Sequence, residues 1–525
     1  MMHRSFTYVI PIYLMTAHSH LQVDQENQVA FLVLQQRFSQ QYNEIFLDDL
    51  AEKTVVIIPS LSLDAELLQT IKGVVHYEER MLCMLLLLRM PRTRVIYVTS
   101  VPIDNSIIDY YLHLLPGITG YHARQRLTLL SCYDASPKPL TKKILERPRL
   151  IKRIKEHIKN PPLSHITSFN VTELEKELAL QLDTPVFGCD PSLLHYGTKS
   201  GSRTIFKELG IPVPEGYENL NSKDDIIKAL ALLKISNPSL EKAVIKMDEG
   251  FSGEGNAIFS YHKYFSTLSQ EEMEKEIETA LSSQLKIIAD HISFEDFIYK
   301  FCLMGGIVEA FIPGLIKESP SVQCRINPNG ETDIISTHDQ LLGCESGQVF
   351  LGATFPANCE YHHEISLMGK RVAEGMKMLG ILGRFSIDFI SVKEDNHWKH
   401  YAIEVNLRKG GTTHPFIMLQ FLTGGIFSPE DGIYIMPNGQ TRCYFATDNV
   451  VNEKYKGLTP HDLIDISMCN GILYDSSKQT GVMFHMIGAL SQHGKLGMLC
   501  IAETTEEAHG LYVKTIGVLD RECLC

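Results

Sequence analysis

The sequence predicts a mixed α/β fold divided among several domains, and three observations support this prediction. The chain has 525 residues, which is too many for a single hydrophobic core. Short β-branched stretches alternate with a long apolar stretch between residues 50 and 135, a pattern typical of a small parallel sheet. Apolar and polar residues then alternate with a period of two around residues 383–407, which indicates paired strands that share a polar face.

The first third of the chain predicts a parallel α/β unit followed by a connector. Strands are expected over Thr54–Ile58, Arg94–Thr99 and Leu127–Ser131, with an apolar helix at residues 76–89. Serines follow the first two strands, where ligands often bind in such sheets, although ordinary turns explain them equally well. Prolines punctuate basic segments in residues 136–186, which predicts a connector.

Composition narrows the classes of function. The formal net charge is -13 at pH 7, and the chain has no basic run, which disfavours a nucleic-acid partner. Its 12 cysteines are scattered without a CxxC pair, as expected for reduced thiols of a cytoplasmic protein. No apolar stretch reaches the roughly 18 residues of a membrane span.

Two strands near residue 400 carry polar side chains that suit a metal ion. Alternation after position 400 places Glu404 and Asn406 on one face, with Arg408 just beyond. Residues 383–392 alternate in the same way, and a tight turn would bring Asp388 next to Glu404. Adjacent carboxylates are costly unless a cation lies between them, and Mg²⁺ prefers such oxygen ligands. The alternative is an amphipathic edge strand with a solvated polar face.

Two lysines upstream are placed to bind phosphate. Lys199 opens a predicted helix, where a lysine is unfavourable for the helix dipole unless an anion also binds there. Lys246 lies in a short predicted strand, and a glycine-rich loop at residues 249–256 follows it. Backbone N–H groups of such a loop can bind a polyphosphate while the lysine adds a positive charge. A plain hairpin turn would also explain the glycines, because a second strand follows the loop.

Two further features suggest binding groups. Glu309 interrupts an apolar strand, and the exocyclic amine of adenine would satisfy such a buried carboxylate. After Arg408, residues 410–415 form a loop that leads into a helix, an arrangement suited to an anionic substrate. His414 in this loop is equally well explained by a structural role.

The order of these features resembles the ATP-grasp superfamily of carboxylate–amine ligases over about residues 187–427. The stretch Ile403-Glu-Val-Asn-Leu-Arg408 is the most specific part of this resemblance. Residues 77–80, 139–148, 197–203 and 481–485 further resemble the pheganomycin-type peptide ligases and the ATP-grasp proteins related to IQ-motif-containing protein H. The chain has no IQ motif, so the resemblance does not imply calmodulin binding.

The resemblance implies an α+β ATP-grasp fold in a four-part chain. Residues 1–135 would form a Rossmann-like pre-grasp domain and residues 136–186 the connector. Residues 187–427 would form the two-lobed ATP-grasp domain, which holds ATP and Mg²⁺. Residues 428–525 would form a small C-terminal α/β cap.

The resemblance also implies roles for individual residues. ATP would contact Lys199, Lys246, Gly250, Ser252, Gly253, Gly255, Glu309, Ala310 and Ile312, with Glu318 as the candidate for the ribose. Asp388, Glu404 and Asn406 would hold Mg²⁺, and Arg408 and Lys246 would be catalytic. Substrate contacts are expected from Arg325, Gln340, Thr412 and Thr413.

The implied reaction forms an amide or peptide bond through an acyl phosphate and releases ADP and phosphate. Two alternatives stay open at this point, an ATP-binding regulator without turnover and an ATP-grasp phosphotransferase. The expected partners are a small-molecule carboxylate and an amine, such as amino acids or peptides, with neither nucleic acid nor membrane. A homodimer is left open.

Overall fold

The computed structural model describes residues 12–63, 65–250, 255–289, 291–343 and 349–523. These residues form sheets of four, five and nine strands and one two-stranded ribbon. No helix within them combines the length and the apolar character that crossing a membrane requires.

The four-stranded sheet is parallel and has the order β3-β2-β1-β4. Its strands are β1 (Thr54–Ile58), β2 (Arg94–Thr99), β3 (Leu127–Ser131) and β4 (Ser164–Ser168). Its helices are α1 (Ile12–Gln40), α2 (Ala65–Thr70), α3 (Asn105–His113), α4 (Gly120–Arg124), α5 (Leu140–Leu145), α6 (Pro148–His157) and α7 (Glu173–Leu182). The three strands predicted from the sequence are confirmed, and the predicted apolar helix is a 3₁₀ helix over Val74–Arg89.

The segment predicted as a connector, residues 136–186, belongs to this sheet. Within it, β4 pairs with β1 in parallel along its whole length, from Thr54 opposite Ser164 to Ile58 opposite Ser168. The buried side chains of α5, α6 and α7 pack under the same sheet. The first domain therefore extends past residue 135.

The five-stranded sheet is antiparallel and has the order β5-β9-β6-β7-β8. Helix α8 (Lys199–Glu208) precedes it, and its strands are β5 (Gly216–Leu220), β6 (Lys242–Met247), β7 (Asn256–Ser260), β8 (Leu285–Ile287) and β9 (Gly306–Ala310). The helices α9 (Lys223–Ser236), α10 (Gln270–Gln284) and α11 (Phe294–Met304) belong to the same lobe. A capping box between Ser269 and Glu272 starts α10, which buries Met273, Ile277 and Leu281.

The nine-stranded sheet is antiparallel and contains both the rest of the predicted ATP-grasp domain and the C-terminal segment. Its order is β10-β14-β11-β12-β13-β18-β20-β19, with β15 paired to β14. Its strands are β10 (Lys317–Glu318), β11 (Pro320–Ile326), β12 (Thr332–Gly343), β13 (Val349–Phe355), β14 (Gly383–Glu394), β15 (His397–Asn406), β18 (Cys443–Val451), β19 (Gly481–His485) and β20 (Lys495–Ala502). The remaining elements are α12 (His362–Met378), α13 (Thr413–Thr423), the ribbon β16 (Ile426–Ser428) and β17 (Ile433–Ile435), α14 (Pro460–Cys469), α15 (Leu490–His493) and α16 (Thr505–Glu522). Residues 428–525, predicted as a separate cap, thus contribute three strands to the large sheet.

One hydrophobic core joins the first domain to the C-terminal part of the large sheet. It contains Leu82 of the 3₁₀ helix, Tyr97 of β2, Met418 of α13 and Leu499 of β20, each almost fully buried. Because these side chains share one core, the 3₁₀ helix is held firmly against the large sheet. This contact places residues of the first domain at the site described next.

Candidate active site

A cavity of about 420 Å³ lies where the three large sheets approach one another. Lys246 and Glu309 of the five-stranded lobe line it, as do Asp388 and Glu404 of the large sheet and Arg80 of the first domain. The volume is within the usual range for small-molecule sites. The cavity is therefore the candidate active site.

The hairpin β14–β15 brings the predicted metal ligands together as the alternating sequence pattern indicated. Asp395 and Asn396 form its turn with φ values of 47° and 66°, as a tight two-residue hairpin turn requires. The register places Asp388 directly opposite Glu404, with a bulge just after Asp388. Both carboxylates and Asn406 line the cavity, so the predicted juxtaposition is confirmed.

The acidic pair has the electrostatics of a cation site. The Asn406 amide Nδ2 donates to Asp388 Oδ2 at 3.0 Å and to Glu404 Oε1 at 3.2 Å, and Gln340 donates to Asp388 Oδ1 at 3.0 Å. Burial and the neighbouring Glu404 raise the pKa of Asp388 to about 7. Burial opposes ionisation of Glu404 as well, but Lys199 lowers the pKa of Glu404 to about 2. Two half-buried carboxylates and an amide that can turn its oxygen inward fit the donor set that Mg²⁺ prefers.

Lys199 occupies the predicted position at the start of α8, but protein carboxylates pair with both its ammonium and the N-terminus of the helix. Its ammonium forms an ion pair with Glu404. The anion at the N-terminus of α8 is the Asp248 carboxylate, which accepts from the Ser200 backbone N–H at 2.7 Å. Lys199 is therefore a cavity cation, and the helix end is already satisfied by the protein itself.

Glu309, which the sequence predicts to contact adenine, lines the cavity and also has two charged partners within the protein. Its carboxylate accepts from Lys246 Nζ at 2.6 Å and lies 2.8 Å from Arg203 Nη1. The side chains of Glu309 and Arg203 are 3% and 1% exposed, so the pair is fully desolvated. Glu309 thus serves as the counter-ion of two buried cations, because β9 lies beside β6 and opposite α8.

The neighbouring residues at the predicted adenine site divide into those that face the cavity and those that do not. Ala310 and Ile312 line the cavity, but the Ala310 N–H donates to the Glu215 carbonyl at 2.7 Å. Lys317 also lines the cavity and lies 4.6 Å from the Phe311 ring centroid. Glu318, the candidate for the ribose, is exposed on β10 and does not line the cavity.

The predicted glycine loop and substrate residues are only partly placed at the cavity. Gly250 and Gly255 line it, whereas Ser252 and Gly253 lie outside the described residues. Gln340 and Thr412 also line it, and Thr412 accepts from Gln323 Nε2 at 2.8 Å.

Two of the predicted substrate residues have structural partners away from the cavity lining. Arg325 forms an ion pair with Asp333 at 2.7 Å between β11 and β12. The Thr413 hydroxyl accepts from the Gly410 backbone N–H at 2.9 Å and so stabilises the loop before α13. Neither residue lines the cavity, and their contact with a substrate stays a prediction.

The sequence-based search missed the group of cavity residues supplied by the first domain and by β18. These are Tyr77, Arg80, Phe169, Asp448 and Asn449. Tyr77 and Arg80 belong to one of the stretches that resemble known ligases, and that resemblance was the one available signal. The others carry no local pattern, because the packing of separate domains brings them to the cavity.

Arg408 connects this end of the cavity with the acidic pair. It lines the cavity and is half-buried. Desolvation lowers its pKa, the charges of Glu404 and Asp388 raise it, and the charge of Arg80 lowers it further. Two guanidinium groups and two carboxylates therefore interact across this part of the cavity. Such a site favours a ligand that carries both negative charge and a metal ion.

Comparison with known proteins identifies similar sequences over most of the chain. Residues 192–291 and 261–429 match the family described as IQCH-like, ATP-grasp, and residues 462–515 match the family described as PGM1 C-terminal domain. The L-propargylglycine–L-glutamate ligase of Streptantibioticus cattleyicolor is 27% identical over 466 residues, which cover 87% of this chain and 92% of the relative. IQ motif-containing protein H of Danio rerio is 23% identical over 518 residues, which cover 90% of this chain but 49% of that protein. The chain thus spans about half the length of the second relative.

Solved structures share the fold at low sequence identity. A biotin carboxylase from Campylobacter jejuni, solved as a β,γ-ATP complex, has a TM-score of 0.51 at 13% identity and covers 87% of this chain and 88% of its own. The biotin carboxylase domain of 2-oxoglutarate carboxylase from Hydrogenobacter thermophilus, solved with MgADP, ADP and bicarbonate, has a TM-score of 0.51 at 12% identity and covers 87% of each chain.

Proposed function

Because this chain belongs to the ATP-grasp superfamily of ligases, we propose that it joins the carboxylate of one amino acid or peptide to the amine of another. A carboxylate oxygen attacks the γ-phosphorus of ATP, and ADP leaves. The amine nitrogen then attacks the carbonyl carbon of the acyl phosphate, inorganic phosphate leaves, and the nitrogen loses a proton. The products are an amide, ADP and phosphate.

The opposed acids Asp388 and Glu404 are the observation that carries this proposal. Two carboxylates facing each other in a cavity are costly without a cation. Burial, and after it the neighbouring Glu404, raise the pKa of Asp388 to about 7. Mg²⁺ held by Asp388, Glu404 and Asn406 would neutralise phosphate charge and orient the phosphoryl group. A protein that bound nucleotide without transferring a phosphoryl group would have less need of Asp388 and Glu404 as metal ligands.

The chain supplies further positive charge for the phosphoryl group. Lys199, Lys246 and Arg408 all line the cavity and lie close to the acidic pair. Fixed cations in a desolvated cavity stabilise a transferring phosphoryl group strongly, because they need little rearrangement during the reaction. In this proposal, Lys199 and Lys246 bind phosphate oxygens, and Arg408 holds the carboxylate that is activated.

The class of substrate is supported by the first relative, whose name specifies L-propargylglycine and L-glutamate. That relative aligns along 92% of its own length, so the comparison includes both the cavity and the first domain. Amino acids carry the two groups that the reaction needs. We therefore propose amino acids, free or in short peptides, as both substrates.

Hydroxylamine trapping tests the reaction. The purified protein is incubated with ATP, Mg²⁺, hydroxylamine and, one at a time, the twenty common L-amino acids and L-propargylglycine. We expect one or more acids to yield a hydroxamate together with ADP and phosphate, because a strong nucleophile intercepts an acyl phosphate without the natural amine. Glu404→Gln should abolish this product. Asp333→Asn, which removes an ion-pair partner away from the cavity lining, should retain it.

Other products would contradict the proposal in different ways. AMP and pyrophosphate would indicate an adenylate and refute the acyl-phosphate route. ADP with a stable phosphoester and no hydroxamate would indicate a phosphotransferase. Absence of any product across the panel, despite nucleotide binding, would favour a regulatory module.

A further inference from the structure

Arg80 is held rigidly at the cavity by two aromatic rings. Its guanidinium carbon lies 4.6 Å from the ring centroid of Tyr77 and 4.6 Å from that of Phe169. The Tyr77 hydroxyl in turn accepts from Lys495 Nζ at 2.8 Å. Contacts with two rings restrict the plane of the guanidinium, and the Arg80 side chain as a whole is only 6% exposed.

The Arg80 guanidinium has one partner for Nη1 and none for Nε. Nη1 donates to Asp448 Oδ2 at 3.1 Å. Nε is buried and has no hydrogen-bond acceptor among the described residues. A buried N–H without an acceptor is unfavourable, and the Nε edge of a guanidinium presents parallel donors that match a carboxylate. Because Arg80 lines the cavity, an acidic oxygen of a ligand bound there can supply the missing acceptor.

Asp448, which also lines the cavity, is engaged by Arg80 and by two histidines. Its Oδ1 accepts from His485 Nε2 at 2.6 Å and lies 3.3 Å from His414 Nε2. All three side chains are buried, and the two Nε2 atoms are 3.0 Å apart.

The same three residues could be considered as a metal site, but their surroundings favour a hydrogen-bonded support. Histidines that bind metal normally use their second nitrogen to bond an outer partner. The Nδ1 atoms of His414 and His485 are buried and have no partner among the described residues. We therefore assign the two histidines to the positioning of Asp448, and Asp448 to the positioning of Arg80.

We propose that Arg80 binds the α-carboxylate of the amino acid that supplies the amine, an inference that rests on the proposed ligase function. In the proposed reaction, the carboxylate that is activated lies beside Arg408 and the acidic pair. A carboxylate bound at Arg80 must therefore be a different group of the substrates. The amine-supplying amino acid carries such a group next to its nucleophilic nitrogen. A carboxylate fixed at Arg80 would place that nitrogen close to the activated carbonyl carbon.

The test compares the free amino acid with its α-amide as the amine substrate. It uses the pair of amino acids that gives the highest ADP release with the wild-type protein. Arg80→Gln should lower kcat/KM for the free amino acid by about 30-fold or more, mainly through KM, as expected when a buried charged partner is removed. The effect on the α-amide should be less than about threefold. The selectivity for the free acid is therefore expected to disappear.

Three further variants keep the test independent of folding defects. Arg80→Lys retains a charge but lacks the paired donors, so it should recover only part of the selectivity. Asp448→Asn should raise KM for the free amino acid, again with little change for the amide. Arg89→Gln removes an exposed arginine at the end of the same 3₁₀ helix, which contacts the Phe421 carbonyl, and should behave like the wild type.

Each alternative result overturns a different part of the inference. Equal losses for the free acid and the amide would mean that Arg80 is structural. A parallel loss of the hydroxamate formed with hydroxylamine would assign the bound carboxylate to the activated acid and not to the amine. If the wild type releases no ADP with any pair, the proposed function fails and this inference fails with it.

Discussion

Replacing Glu309 by glutamine distinguishes an ion-pair role from direct recognition of adenine. In the structure, Glu309 is the shared counter-ion of Lys246 and Arg203, at 2.6 and 2.8 Å. All three side chains are at most 9% exposed. A neutral glutamine would leave two buried cations with much weaker compensation.

The expected cost follows from this burial. Removing one partner of a buried ion pair typically destabilises a protein by about 3–5 kcal/mol. For a unit of 150–250 residues, this corresponds to a decrease of roughly 6–20 °C in melting temperature. Glu218→Gln is the matched control, because Glu218 also contacts Arg203, at 3.3 Å, but pairs mainly with the half-exposed Lys207. The control should cost no more than about 1 kcal/mol.

The assay combines thermal unfolding without nucleotide and nucleotide selectivity. Glu309→Gln should melt well below Glu218→Gln, and ATP should remain preferred over GTP at whatever affinity survives. A variant that melts within about 2 °C of the wild type but loses its preference for ATP would refute the ion-pair interpretation. That result would restore the adenine contact predicted from the sequence.

Two other predictions concern residues of the cavity, and a third concerns the buried His338. Lys246→Ala should abolish the increase in melting temperature that ATP and Mg²⁺ produce, because it removes a charged donor to phosphate. If the wild-type protein itself gains no stability at saturating ATP, the nucleotide site is refuted. Glu404→Gln and Asn406→Ala should remain folded yet lose turnover, while the control Glu318→Gln, on the exposed β10, should retain turnover. If Glu404→Gln and Asn406→Ala instead aggregate and their soluble fraction has normal activity, the faces of the strand were assigned wrongly. Burial lowers the pKa of His338 to about 3 from 6.5, so the unfolded chain takes up a proton that the folded chain does not, and stability falls as pH decreases from 6.5 towards 3. At pH 5 this effect is about 2 kcal/mol, and His338→Gln should remove that part of the difference in unfolding free energy between pH 7.5 and pH 5, as measured by urea denaturation.

The sequence predicts best those features that depend on neighbouring residues. The β14–β15 hairpin follows from alternation and a tight turn, so the pairing of Asp388 with Glu404 was accessible without a structure. The capping box at Ser269 has the same local character. Such features need only the period of the strand or the chemistry of a helix end.

The features that the sequence left open depend on partners far apart in the chain. Glu309 could be predicted to be buried and in need of donors, but nothing local identifies Arg203, 106 residues away, as one of them. Arg325 carries the right charge for a substrate contact, yet β12 brings Asp333 against it. Arg80 reaches the cavity only because the first domain shares a core with the C-terminal strands. Chemical type is local information, whereas the identity of the partner is set by tertiary packing.

Lys199 and Lys246 are both predicted from the sequence to bind phosphate, but they are expected to respond differently to ligands. Lys199 pairs with Glu404, one of the residues that would hold Mg²⁺, so metal binding would compete for that carboxylate and release the ammonium. Lys246 pairs with Glu309, which is also held by Arg203 and lies outside the proposed metal set. Lys246 can thus keep its counter-ion while its other donors contact phosphate, since an ammonium has three. Metal and nucleotide binding should therefore be coupled through Lys199, because each ligand takes one member of the same ion pair, whereas Lys246 is ready to bind phosphate before either arrives.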